Sequence, residues 1–161
     1  MENVDWTMER DGALRFHREL PNGVVFGSSI KAKGREVNLE LWLRNATYTG
    51  LTGLSTQVCV MLKGAAEFNR ISNENKLLKS PVAAVRSDSG NRWILTVWER
   101  CGRVWGNATV PCMHSDPVFP DCESGQTVRL RGKLWFYEGD QIEREIEQTQ
   151  NGVAQSALSL T

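Results

Sequence analysis

Apolar and polar residues alternate along much of the chain, and Gly, Asn, Asp and Pro separate the alternating stretches. A period of two residues is typical of half-buried antiparallel strands joined by turns. The clearest case is the pair of stretches 13–20 and 24–31, joined by Pro21-Asn22-Gly23. Because Asn and Gly accept positive φ, this tripeptide favours a tight turn, and the pattern predicts a β-hairpin.

The same pattern predicts several further strands. They cover residues 36–45, 54–63, 82–86, 92–100 and 127–138. Within 36–45 the aliphatic residues Val37, Leu39, Leu41 and Leu43 share one face, whereas Trp42 shares the other face with Glu40 and Arg44. Residues 64–80 and 101–122 break the alternation, and we expect them to form loops.

One helix is predicted after Gly139. Asp140 and Glu143 have the spacing of a capping box, and Ile142 and Ile146 fall on one helical face. Together these elements predict an all-β protein, an antiparallel β-sandwich of mutarotase-like or jelly-roll-like type with one short C-terminal helix. We expect a single domain over residues 1–148 and a polar tail over 149–161, since a chain of 161 residues can bury one core.

Charge and composition narrow the choice of partners. Lys plus Arg and Asp plus Glu both number 19, and no run of like charge occurs. The balance disfavours nucleic acid and anionic membrane surfaces as partners. No apolar stretch approaches the ~20 residues of a membrane helix, and the first residues lack the apolar core of a signal peptide. We therefore expect a soluble cytoplasmic protein, unless a signal peptide has been removed.

The stretch CGRVWGNATVPCMHSDPVFPDC, residues 101–122, holds three of the four cysteines and one of the two histidines. Cys101, Cys112, His114 and Cys122 are ligand types that tetrahedral zinc accepts, but their spacing lacks the close Cys pairs of common zinc folds. A disulfide from Cys101 or Cys112 to Cys122 is the alternative in an oxidising compartment. Reduced thiols without a metal are the main expectation, and Cys59, in a strand, is interpreted as a packing residue.

His114 and Asp116 are the best candidates for proton transfer in this stretch. They lie two residues apart beside Pro117, in a segment predicted to be a polar loop, where binding residues often occur. Glu99 is a further candidate acid. The alternative is that Asp116 caps the turn and His114 bonds to the backbone.

Tryptophan is unusually frequent, with six in the chain. Trp42, Trp98 and Trp105 lie near charged or amide side chains, a combination typical of saccharide-binding surfaces. The predicted ligand-binding set is Trp42, Arg44, Gln57, Trp98, Arg100 and Trp105. The alternative is that tryptophans such as Trp93 and Trp135, which alternate with aliphatic residues, fill the core.

Three blocks of sequence carry a family resemblance, and the most specific is PCMHSDPVFPDCESGQTVRLRGKLWFYEG at 111–139. With residues 40–65 and 81–99, this block resembles small bacterial proteins, mainly uncharacterised, that are related to galactose-mutarotase-like β-sandwiches. The resemblance implies a concave sheet that holds a sugar. It also implies His114 as the counterpart of the mutarotase histidine, with Glu99 or Glu138 as the carboxylate.

The leading hypothesis from the sequence is a carbohydrate-binding β-sandwich that uses the Trp- and Arg-bearing sheet face and the 101–122 segment. A small sugar-active enzyme of epimerase, isomerase or lyase type, using His114 and a nearby carboxylate, is the second. A structural or accessory subunit, or a homo-oligomer assembled through a sheet edge, is the third.

Overall fold

The computed structural model describes residues 5–158, with backbone only for 156–158. Antiparallel strands and one C-terminal helix make up the regular structure, which confirms the prediction of an all-β, sandwich-like fold. The strands are β1 Thr7–Met8, β2 Leu14–Glu19, β3 Val24–Lys33, β4 Glu36–Asn45, β5 Cys59–Met61, β6 Lys76–Lys79, β7 Val82–Arg86, β8 Arg92–Trp98, β9 Cys101–Gly106, β10 Cys112–Pro117 and β11 Thr127–Glu138. Helix α1 covers Ile142–Leu158.

The chain divides into two compact units. The described residues of Met1–Leu54 and Phe119–Lys133 form unit 1, and those of Ser55–Val118 and Leu134–Thr161 form unit 2. The single domain over 1–148 stays a prediction.

Unit 1 is one antiparallel sheet with the order β1-β2-β3-β4, followed by the first part of β11. The hairpin of β2 and β3 is present as the sequence predicts, and Gly23 turns it with a φ of 90° that favours glycine. Strand β4 then pairs with the whole length of β3, from Val24 opposite Asn45 to Lys33 opposite Glu36.

Unit 2 has three layers. Its central sheet contains β8, β7 and β6, and the second sheet has the order β5-β10-β9. Aliphatic residues of β7 and β8 pack on one side against Met113 of β10 and Leu62. On the other side, Leu95 and its neighbours pack against Ile142 and Ile146 of α1. The apolar face of α1 is the one that the sequence predicts.

Three elements of unit 2 differ from the sequence predictions. Residues 101–122 do not form a long loop, because β9 and β10 form a hairpin within them. The predicted strand 54–63 is ordered as a strand only over Cys59–Met61, with one isolated bridge from Ser55 to Val118. The stretch 64–80 ends in strand β6, which its polar composition concealed.

The C-terminal helix is longer than predicted. It continues from Ile142 to Leu158 and includes most of the segment 149–161 that was predicted to be a polar tail. The remaining tail, 159–161, lies outside the described residues. Within the described part of the chain, we find no helix with the length and apolarity required to cross a membrane.

Candidate functional site

A polar trough lies on the face of the unit 1 sheet that carries Trp42. Two rows of directly opposed residues cross it: Arg15, Ser29 and Glu40 in one, and His17, Gly27 and Trp42 in the other. We call this surface the Trp42 trough. Asp5, Thr7, Glu9, Phe16 and Arg129 complete its lining, and its volume is about 420 Å³.

Gly27 shapes the trough. A Cβ atom at this position would lie 2.7 Å from the ring of Trp42 and 2.4 Å from the carbonyl oxygen of Phe16. The indole of Trp42 therefore lies across the bare backbone of β3 and reaches toward β2, where the centroid of His17 is 6.4 Å from its own. Small residues on the middle strand and large ones on the outer strands produce a concave surface.

Both signs of charge line the trough. The guanidinium of Arg129 donates to Oε1 of Glu40 at 2.7 Å, and this pair is partly exposed to solvent. Arg15 adds a second positive charge, and Asp5 and Glu9 add further carboxylates. The trough therefore offers many hydrogen-bond donors and acceptors without a strong charge of one sign.

A second group of polar residues lies on the outer face of the β5-β10-β9 sheet in unit 2. Cys59, His114 and Trp105 oppose one another across the three strands, and Cys112 and Asp116 lie two residues to either side of His114 on the same face. The indole of Trp105 stacks on the imidazole of His114, with centroids 3.8 Å apart and planes 11° apart. His114 is consequently only 2% exposed.

Asp116 is held by three donors. Its Oδ2 accepts from Nε1 of Trp105 at 2.7 Å and from Nε of Arg103 at 2.8 Å, and its Oδ1 accepts from the amide of Val58 at 3.0 Å. Burial alone would raise the pKa of Asp116, but these three hydrogen bonds outweigh it and lower the pKa below the usual value. A carboxylate therefore lies 3.6 Å from Nδ1 of His114.

Two thiols and an imidazole meet beside this carboxylate. Cys112 Sγ lies 3.3 Å from Nε2 of His114, and the ligand atoms of Cys59, Cys112 and His114 lie within 4.8 Å of one another. We call these three residues the Cys/His cluster. Burial lowers the pKa of His114 against the opposing effect of Asp116, so its ring is neutral at neutral pH. Desolvation, followed by the proximity of Cys112, raises the pKa of Cys59 to about 11.

The side chain of Lys76 extends beside the cluster. Its ammonium donates to the backbone oxygen of Ser72 and lies 3.3 Å from Oδ1 of Asn73. Gly106 makes room for both side chains, because a Cβ there would lie 2.8 Å from Lys76 and 2.5 Å from Asn73. Burial lowers the pKa of Lys76, and the nearby Cys112 acts in the opposite direction.

The six residues predicted to bind a ligand belong to two different units. Trp42 and Arg44 lie on one face of β4 in unit 1, as the alternation predicts, and Trp42 lines the trough. Gln57, Trp98, Arg100 and Trp105 belong to unit 2. Trp98 is 2% exposed, so it packs in the interior and does not present its ring on a surface. Gln57 and Arg100 are exposed, the latter in the turn between β8 and β9.

His114 and Asp116, predicted as a proton-transferring pair, do lie together, but both are buried and belong to a strand. Glu99 is in the turn after β8. Of the predicted metal set Cys101, Cys112, His114 and Cys122, Cys112 and His114 lie together on β10, Cys101 Sγ lies 3.4 Å from Ser115 Oγ, and Cys122 is a buried residue of unit 1. All four cysteines are free, so the alternative disulfides to Cys122 are absent as well.

Several residues of these two regions escaped the sequence analysis. Arg15, His17 and Gly27 were not assigned a role, although all three lie in the rows of opposed residues around Trp42. The turn predicted at Pro21-Asn22-Gly23 already indicates how β2 pairs with β3. Cys59 was interpreted as packing, and only the pairing of β5 with β10 brings it to His114.

Comparison with known proteins identifies the fold alone. No family model matches the chain, and no curated protein matches it. Among solved structures, one from the human microbiome, provisionally assigned as a kojibiose phosphorylase, matches with a TM-score of 0.61 at 6% identity over 96% of this chain. The Slr1438 protein from Synechocystis sp. PCC 6803 matches with a TM-score of 0.52 at 9% identity over 84% of this chain.

This chain spans 22% of the length of the first of these proteins and 65% of the second. At such low identities the similarity establishes a shared β-rich fold. One of the two names refers to a sugar, so the fold is one that also occurs in a sugar-associated protein.

Proposed function

We propose that this chain binds carbohydrate in the Trp42 trough of unit 1. The observation that carries the proposal is the position of Trp42, whose ring lies over Gly27 within a mainly polar surface. The C–H face of a pyranose stacks on such a ring, while planar carboxylate and guanidinium groups bind its hydroxyls. Glu40 and Arg129 supply one group of each type beside the indole.

The charges of the trough favour a neutral saccharide. Arg15 and Arg129 lie among Asp5, Glu9 and Glu40, so the formal charges nearly cancel and the trough strongly attracts neither an anionic nor a cationic ligand. A neutral sugar, in contrast, uses both kinds of group as hydrogen-bond partners. The structural similarity to a protein named as a kojibiose phosphorylase is compatible with this ligand class.

A saccharide microarray followed by calorimetric titration tests the proposal. We expect the wild-type chain to bind one or more neutral oligosaccharides, and Trp42→Ala to lower the affinity about 5- to 10-fold, since stacking on the tryptophan ring contributes about 1 to 1.5 kcal/mol. Tyr48→Ala is the control. Tyr48 is a fully exposed aromatic residue of the same unit and does not line the trough.

The two variants distinguish binding from folding. If Trp42→Ala folds as the wild type and binds the saccharide equally well, the trough is not the binding surface. If no neutral or charged saccharide on the array binds the wild-type chain, the carbohydrate proposal itself is refuted.

A further inference from the structure

The geometry points to a zinc site formed by Cys59, Cys112 and His114, with its fourth coordination position open to water or to a donor atom of a small molecule. The site is independent of the Trp42 trough. Two cysteines and one histidine are a known three-ligand set for zinc that keeps an exchangeable position. Soft thiolate ligands also favour zinc over magnesium or calcium.

The distances between the three ligand groups suit a tetrahedral zinc ion. Tetrahedral zinc holds sulfur at about 2.3 Å and nitrogen at about 2.0 Å, so its ligand atoms lie about 3.5–3.8 Å from one another. Cys112 Sγ and His114 Nε2 are already 3.3 Å apart, and none of the three pairs exceeds 4.8 Å. Small side-chain rotations therefore suffice to surround an ion, without movement of the strands.

The register of the sheet fixes the positions of all three ligand residues. Cys59 lies directly opposite His114 in the β5-β10 pair, and Cys112 precedes His114 by two residues on the same face. Ligands on paired strands lose little conformational freedom when they bind an ion. Cys112 and His114 are buried while Cys59 is exposed, so the site opens on the side of Cys59.

The surroundings of His114 also favour metal binding. Metal-bound histidines usually donate their second ring nitrogen to a carboxylate, which fixes the ring and increases its basicity. In this structure Nδ1 of His114 is buried and has no hydrogen-bond partner among the described residues, and Oδ1 of Asp116 lies 3.6 Å away. Asp116 is itself fixed by Val58, Arg103 and Trp105. The other ring nitrogen, Nε2, faces the thiol of Cys112 at 3.3 Å.

The charges of the site also suit a divalent ion. Two thiolates and a divalent ion sum to zero, and the charge of Asp116 is compensated by Arg103. Sulfur is only a weak hydrogen-bonding partner, so the contact between Cys112 and His114 stabilises the cluster little without an ion. Binding of zinc replaces this weak contact by coordinate bonds in a largely buried site.

Metal analysis and cobalt spectroscopy test the proposal. The full chain is purified with a reductant and without chelator from zinc-supplemented cells, and zinc is measured by mass spectrometry. We expect about one zinc ion per chain, and Co²⁺ added to the stripped protein should produce a thiolate-to-cobalt charge-transfer band. Cys59→Ser should lower the affinity for Co²⁺ about 100-fold or more, because it removes a ligand at an exposed position where the fold tolerates the change.

Cys101→Ser and Cys122→Ser are the matched controls, since both cysteines lie outside the cluster. Both should retain zinc and the charge-transfer band. Circular dichroism of each variant separates loss of the metal from loss of the fold. The proposal is overturned if the wild-type protein holds no zinc and gives no charge-transfer band, or if Cys101→Ser loses the metal as completely as Cys59→Ser.

Discussion

The Trp42 trough and the Cys/His cluster are both built from rows of opposed residues on one face of an antiparallel sheet, but their central positions differ. In the trough, the middle strand contributes Gly27 and Ser29, so the row is low in the centre and open. In the cluster, the middle strand contributes His114, and Trp105 on the neighbouring strand stacks over it. The size of the cross-strand neighbour therefore decides whether a polar row becomes an open binding surface or an enclosed site.

Enclosure has an energetic consequence that the open trough lacks. A buried polar group that loses its partner keeps the full cost of its removal from water, whereas an exposed group is solvated again. Substitutions of buried polar residues in and beside the cluster should therefore affect stability, whereas polar substitutions in the trough should affect mainly ligand binding.

Replacement of Asp116 by alanine should have the largest effect. The change leaves the indole N–H of Trp105 and the amide of Val58 without an acceptor in a region where Asp116 is 5% exposed. We expect the free energy of unfolding to fall by about 3 kcal/mol, measured by urea denaturation. Asp121→Ala, at an exposed position, is the control and should change it by less than about 0.5 kcal/mol. A loss below about 1 kcal/mol for Asp116→Ala would show that the carboxylate is solvated.

Gly27→Ala should have the next largest effect on stability, and we expect it to lower ligand affinity as well. Its methyl group would lie 2.4 Å from the Phe16 carbonyl oxygen and 2.7 Å from the Trp42 ring, so the ring must move. We expect a loss of about 2 kcal/mol in unfolding free energy and a saccharide affinity as low as that of Trp42→Ala.

Gly64→Ala provides the control for this substitution, because a Cβ at Gly64 meets no atom within 4 Å. It should change neither stability nor affinity. Unaltered saccharide binding by Gly27→Ala would mean that the position of Trp42 over the bare backbone is unimportant for the ligand.

The sequence predicted unit 1 better than unit 2, and the reason is the distance along the chain over which partners meet. Unit 1 is assembled from adjacent strands joined by a strong turn signal, so alternation alone places Trp42 and Arg44 on one face. The Cys/His cluster requires Cys59 to pair with a strand more than fifty positions away. No local pattern specifies that register.

The composition of residues 112–117 was also misleading. Cys112, His114 and Asp116 form a buried polar stripe, Trp105 stacks on His114, and Pro111 and Pro117 lie at the two ends of the segment. Polar residues next to prolines usually indicate a loop, because a buried polar face is costly. Here the mutual hydrogen bonds of Asp116, Trp105 and Arg103 offset this cost, and only the folded partners reveal it.

Glu40→Gln should have the smallest effect on stability and is the most selective test of the trough. The carboxylate pairs with Arg129 at 2.7 Å, but the two side chains are 31% and 56% exposed, so solvent screens the interaction. We expect a change in unfolding free energy below about 0.5 kcal/mol. The saccharide affinity should nevertheless fall about 3- to 10-fold, because the amide binds Arg129 and sugar hydroxyls less strongly than the carboxylate does.

Glu36→Gln is a matched control on the same strand and the same face. Glu36 pairs with Lys133 at 3.0 Å at similar exposure, but it does not line the trough. The two variants should be equally stable in urea denaturation and should differ in calorimetric titration with the saccharide. If both bind the saccharide as tightly as the wild type, Glu40 has no role in recognition, and the ligand is held by Trp42 and the arginines alone. If both weaken binding equally, the effect comes from the overall charge of unit 1, because only Glu40 lies within the trough.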